Sequence, residues 1–208
     1  MNSRRQHDLH ALRLPPASRD SRRRQVGTIA LGDAAIRRFN ALLAQIAPNA
    51  PSVSADQVVT LARWLGQQPQ DRAVAILSER LARAEHLRRM LNDSDWDVGS
   101  ETRERARMLT RYLQQVDDLI PDDQPLVGHL DDALLVELSW PAFEDETRDY
   151  ADFCRFRASE RPRGSAAERR LAWETACLAE AALLQQRRDV RSRSYAARPR
   201  LPDFIRVT

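Results

Sequence analysis

The stretch QDRAVAILSERLARAEHLRRML, residues 70–91, decides the fold class. Val74, Leu77, Leu81, Ala84, Leu87 and Leu91 recur at steps of three and four, the period of one helical face. Pro69 marks its start. Upstream, Ser54 and Gln57 form a capping-box pair, and the helix they open carries Val58, Leu61 and Leu65. Before the breaks at Pro48 and Pro51, Asp33 to Ala47 places Ile36, Phe39, Leu43 and Ile46 on one face. Downstream, Ser100 is placed to cap a helix with Leu109, Tyr112, Leu113, Val116 and Ile120 on its buried side. Residues 131–140 and 144–159 read as two shorter helices separated by Pro141. Ser165 and Glu168 repeat the capping box for a helix to about Arg188, with Leu171, Leu178 and Leu183. Almost nothing alternates as a strand does, and no internal repeat stands out. The expected fold is all-α, an irregular multi-helix bundle.

Composition narrows what such a bundle does. The 208 residues are 42% hydrophobic and 30% charged, enough apolar material for one core. All 33 basic residues are arginine, which excludes Schiff-base lysines and the P-loop lysine. GxGxxG and GxxxxGK patterns are absent, and His7, His10, His86 and His129 form no HExxH pair. Two cysteines build no disulfide framework, and no apolar run approaches the roughly 20 residues of a membrane span. A reducing, cytoplasmic setting is expected. Charge is uneven: residues 1–28 carry net +5, residues 187–208 net +5 and residues 29–186 net −7. The domain reading is a disordered Arg-rich tail over 1–28, a single helical domain over 29–188 and a basic tail over 189–208.

The least ordinary segment is DDLIPDDQPLVGHLDD, residues 117–132, with six aspartates around Pro121, Pro125 and Gly128. The prolines stop the preceding helix, and glycine permits a turn that other residues resist. Asp131 or Asp132 then stands at a helix start, where a carboxylate accepts orphan N–H groups. The run DLIPDDQPLVGHLDDALLVEL, residues 118–138, resembles the signature of the YkvA-like family, small bacterial helical proteins with a domain of unknown function. The pattern matches at Asp118, Leu119, Ile120, Pro121, Asp122, Pro125, Gly128, Leu130, Asp131 and Asp132. It departs at Val116, where many members have proline, and at Asp123 and Gln124, where many have apolar residues. The resemblance covers about residues 105–157. It implies a central α-helical hairpin and no established activity. Some relatives are membrane-associated, which makes peripheral membrane contact an expectation to test.

Two uses compete for the aspartates. Asp118, Asp122, Asp131 and Asp132 could supply oxygen ligands to Mg²⁺ or Ca²⁺, although no DxDxDG loop is present. Structural capping of the loop around Pro121, Pro125, Gly128 and His129 is the expectation, with no resident cofactor. Residues 117–152 hold twelve acids and one arginine, net −11, a field that attracts basic partners and repels nucleic acid. Arg22, Arg23 and Arg24, and Arg187, Arg188, Arg191 and Arg193, form clusters suited to phosphate, and Tyr195 and Phe204 beside the second suit base stacking. Tyr150, Phe153 and Cys154 share a helical face and read as core. The functional expectation is a non-enzymatic interaction or regulatory protein acting through its acidic loop-helix surface. A homo-oligomer is one form such an interaction takes. The alternatives are a divalent-metal module or enzyme on the aspartate loop, and nucleic-acid binding through the tails.

Overall fold

A computed structural model describes residues 12–16, 24–26, 29–115, 119–121, 124 and 126–195. Two short strands open the described chain: β1 (Gln25–Val26) and β2 (Ile29–Ala30), antiparallel, with Val26 opposite Ile29. Seven helices follow among the described residues: α1 (Asp33–Ile46), α2 (Ala55–Gly66), α3 (Gln70–Asn92), α4 (Ser100–Tyr112), α5 (Leu130–Ser139), α6 (Glu144–Glu160) and α7 (Ala166–Tyr195). A 3-10 turn, Trp140–Ala142, joins α5 to α6. The fold is the all-α bundle that the periodicity predicts, with the two-residue strands as its one extended feature among the described residues.

The chain divides into two units, residues 1–152 and 153–208. The division falls within α6. In the first unit the centre is α5. Leu130, Ala133, Leu134, Leu135 and Val136 are all fully buried, and Asp131, Asp132 and Ser139 are buried with them, so this helix is covered on most of its sides. Helices α1, α3 and α4 pack on it. The predicted faces of α1 and α2 are buried at every named position, and the Ser54–Gln57 capping box forms in both directions. Between these helices the Asn40 side chain bonds both Val53 backbone groups at 2.8 Å, replacing the partners that the Pro48 and Pro51 break removes.

Several expectations are corrected. The buried face of α3 runs through Ala73, Ile76, Leu77, Arg80, Ala84, Leu87 and Met90, so Val74 is exposed and Arg80 takes an inward position. Helix α4 is not capped by Ser100; Gly99 is its N-cap and makes no side-chain bond. It ends at Tyr112 rather than running to Pro121, and the Leu119 and Ile120 amides bond the Asp131 carboxylate. Part of the segment read as an N-terminal tail is packed: Leu12 and Val26 are buried, and Gln57 donates its side-chain amide to the Pro15 carbonyl at 2.6 Å. At the other end α7 continues past Arg188 to Tyr195.

In the second unit, Phe153 meets Trp173 edge-on at 6.0 Å, and the Arg157 guanidinium lies over the Phe153 ring. Gly164 sits at φ 106°, where any side chain would be strained and would collide with the Glu168 carboxylate. That carboxylate closes the second capping box: it accepts from the Ser165 amide at 2.7 Å, and the Ser165 hydroxyl accepts from the Glu168 amide.

Candidate functional site

The aspartate loop folds around Asp131, and the reason is local. Leu119 and Ile120, between α4 and α5, lie outside both helices, so their amides need acceptors. Asp131 sits in the first turn of α5 and is fully buried. Its Oδ2 accepts from the Tyr112 hydroxyl at 2.9 Å, the Leu119 amide at 2.9 Å and the Ile120 amide at 3.2 Å. One carboxylate oxygen therefore ties the end of α4, Leu119 and Ile120, and the start of α5 together. Burial pushes this carboxyl above its ordinary value, opposed by the bond from Tyr112 and then by the backbone donors. Asp131 is thus a loop clamp rather than a cap of its own helix. The N-cap of α5 is His129, whose side chain makes no capping bond; it is half exposed, with Nδ1 3.4 Å from Asp132 Oδ2. The positive φ of this turn falls at Leu126, at 67°, while buried Gly128 donates its amide to the Gln124 carbonyl at 3.0 Å.

Pro121 is exposed at the loop's edge. Asp118, Asp122 and Pro125 lie outside the described residues. Among the described residues, no three histidine, cysteine, aspartate or glutamate side chains gather as a metal-ligand set.

The acidic surface expected over 117–152 is thinner than its charge count. Asp131 and Asp132 are buried. Glu137 Oε2 accepts from Arg80 Nε at 3.0 Å and Arg83 Nη1 at 3.2 Å. Arg80, only 2% exposed, also donates to the Ile76 carbonyl at 3.0 Å and to Glu79 at 3.1 Å. A buried charge needs this many partners, since desolvation without them costs several kcal/mol. Glu146 accepts from the Trp96 indole at 2.8 Å. Glu144, Asp145 and Asp149 are left exposed on the first turns of α6. Neither Tyr112 nor Arg80 stands out in the sequence as part of this arrangement. An arginine on the apolar face of a predicted helix was the available signal for Arg80.

No family model, curated protein or solved structure matches the chain.

The clefts of the first unit are small and open. One measures about 480 Å³, lined by Arg13, Leu14, Pro15, Pro16, Leu61 and Trp64, with one hydroxyl, Thr60, that already donates to the Asp56 carbonyl. A second, of about 270 Å³, lies beside the clamp between Phe39, Leu42, Tyr112 and Leu119. Neither lining sets a nucleophile beside a base.

The candidate arginines separate. Arg24 pairs with Asp33, and Arg22 and Arg23 lie outside the described residues. Arg187, Arg188 and Arg191 are exposed on α7. Arg193 belongs to the same helix. This helix also carries the largest departure from expectation. Leu171, Leu178 and Leu183 are 62, 73 and 56% exposed, and Leu184 and Val190 are exposed with them. The half-buried side of α7 passes instead through Arg169, Arg170, Trp173 and Cys177, and from Leu178 to Ser192 every residue is exposed.

Proposed function

We propose that the chain is a non-enzymatic protein-contact molecule of the regulatory kind: a body built on a YkvA-like hairpin, and a contact element formed by the exposed apolar residues of α7. One observation carries this. Of the exposed large hydrophobic residues among those described, five of six belong to α7. Scattered exposed leucines need no explanation, but a run of them along one helix marks a surface that gains by being covered. Two carboxylates of the body support the same view, because they are spent on structure: Asp131 on Leu119 and Ile120, Glu137 on Arg80 and Arg83. Glu144, Asp145 and Asp149 add an acidic patch suited to a basic partner. The cytoplasm, where two thiols need no pairing, is the compartment proposed.

Nucleic-acid binding is a second reading with its own support, the exposed Arg187, Arg188 and Arg191 on α7. It predicts affinity that falls steeply with salt. The test of the contact reading is cross-linking of the expressed full chain inside cells, followed by mass analysis. Complexes heavier than the monomer are expected, lost in a Leu178→Glu, Leu183→Glu variant. A wild-type chain recovered only as monomer overturns the reading.

A further inference from the structure

We infer that the cleft on α2 is a peptide-binding groove, and that its second ligand is the chain's own C-terminal segment Arg200-Leu201-Pro202; the inference is independent of α7. The groove already holds a peptide of this kind. Leu14, Pro15 and Pro16 face Thr60, Leu61 and Trp64 across a cleft of about 480 Å³. Leu12, only 1% exposed, anchors the segment, and buried Gln57 donates its side-chain amide to the Pro15 carbonyl at 2.6 Å. A residue before proline is held to extended backbone, so Leu14 and Pro15 lose little conformational freedom on docking. A backbone carbonyl met by a side-chain amide, with an indole lining the cleft, is how proline-bearing peptides are recognised.

The chain carries the docked motif twice. Arg13-Leu14-Pro15 recurs as Arg200-Leu201-Pro202, and Leu-Pro stands nowhere else in the sequence. The second occurrence lies outside the described residues. Aligned on the motif, Pro199 stands for Leu12, Asp203 for Pro16, and Phe204 and Ile205 for Ala17 and Ser18. Pro16 is exposed, so an aspartate in its place disturbs little, and Pro199 keeps an apolar residue at the anchor position. Phe204 and Ile205 bring apolar surface that Ala17 and Ser18 lack, and the open cleft beside Leu14 and Pro16 is where such surface leaves water. The N-terminal segment has the advantage of its tether, which gives it a high effective concentration at the groove. The C-terminal segment has the larger apolar content. One groove therefore serves both basic ends of the chain, and the second enters as the first leaves.

Fluorescence anisotropy with a labelled peptide of residues 196–208 tests this. The receptor is the full chain carrying Leu201→Asp, which removes its own competing segment. Saturable binding is expected, with an apparent Kd on the order of 100 µM. Leu201→Asp in the peptide is expected to weaken it by about 10-fold or more. Leu14→Asp in the receptor vacates the groove and is expected to tighten the peptide several-fold. In that vacated receptor, Gln57→Glu keeps the oxygen that accepts from the Ser54 amide but puts an acceptor where the donor to the carbonyl stood, and is expected to weaken the peptide several-fold. A photoreactive benzoyl group on Phe204 of the peptide is expected to cross-link to α2, a readout that needs no groove variant. Absence of saturable binding, equal binding of a scrambled peptide of the same charge, cross-links away from the groove, or binding that Leu14→Asp weakens or leaves unchanged overturns the proposal. So does a groove that takes a peptide of residues 11–18 and refuses the C-terminal one, which would make the cleft a fixed anchor for the N-terminal segment alone.

Discussion

Removing the Asp131 carboxylate separates a clamp from a ligand. In Asp131→Ala, the Leu119 and Ile120 amides and the Tyr112 hydroxyl lose the oxygen they share. Each buried donor left unpaired costs about 1–3 kcal/mol. Relief of the buried carboxylate's own desolvation offsets part of that sum, leaving a net loss of about 3–5 kcal/mol. Asp131→Asn keeps an oxygen able to accept the same three bonds and is expected to cost about 0–1.5 kcal/mol near neutral pH. The pH profiles then diverge in a definite direction. Burial raises the folded carboxyl above its ordinary value of 3.8, so across that window the folded state holds more protons than the unfolded chain. The stability tied to this proton is fully present below the ordinary value and is lost as pH rises through the folded one. Relative to the asparagine variant, the wild type is therefore expected to lose stability as pH rises through that window. Urea unfolding of wild type and both variants, in steps from about pH 4 to pH 7, measures it. A cost under about 1 kcal/mol for alanine, or parallel wild-type and asparagine profiles, refutes the clamp.

Other consequences follow from the same contacts. Glu137→Ala leaves Arg80 buried with fewer partners and is expected to cost about 2–4 kcal/mol in urea midpoints, with Glu137→Gln intermediate. Ser54→Ala removes the oxygen that accepts from the Gln57 amide and is expected to cost about 1 kcal/mol by thermal melting. Mg²⁺ or Ca²⁺ titrated calorimetrically into the full chain is expected to give no saturable heat. Saturable heat lost in Asp118→Asn and Asp122→Asn would move the aspartate loop to a metal site.

Some expectations that rested on local physics agree with the structure, although the Ser100 cap does not form and Val74 is exposed. Ile36, Phe39, Leu43 and Ile46 share a face because helical period alone puts them there, and the Ser54–Gln57 and Ser165–Glu168 caps close within three residues. What depended on partners distant in sequence was not legible. Arg80 is inside because Glu137, 57 residues away, meets it. Tyr112 joins the aspartate loop because Asp131, 19 residues on, reaches its hydroxyl. The acidic count over 117–152 was legible, but its direction was not: composition records a carboxylate and says nothing of whether it faces water or an arginine.

The clearest division lies in α7. Its cap and the spacing of Leu171, Leu178 and Leu183 are properties of the sequence, whereas its continuation to Tyr195 is not. An apolar residue at helical spacing predicts a face that gains by leaving water, and from sequence alone these leucines read as core. Only the tertiary structure decided that Trp173 and Cys177 take the inner side and that the leucines stay outside. Periodicity measures the tendency of a surface to be covered. Which surface is covered within the chain depends on the neighbours that the fold supplies, and in this helix Trp173 and Cys177 are half-buried while every residue from Leu178 to Ser192 is exposed.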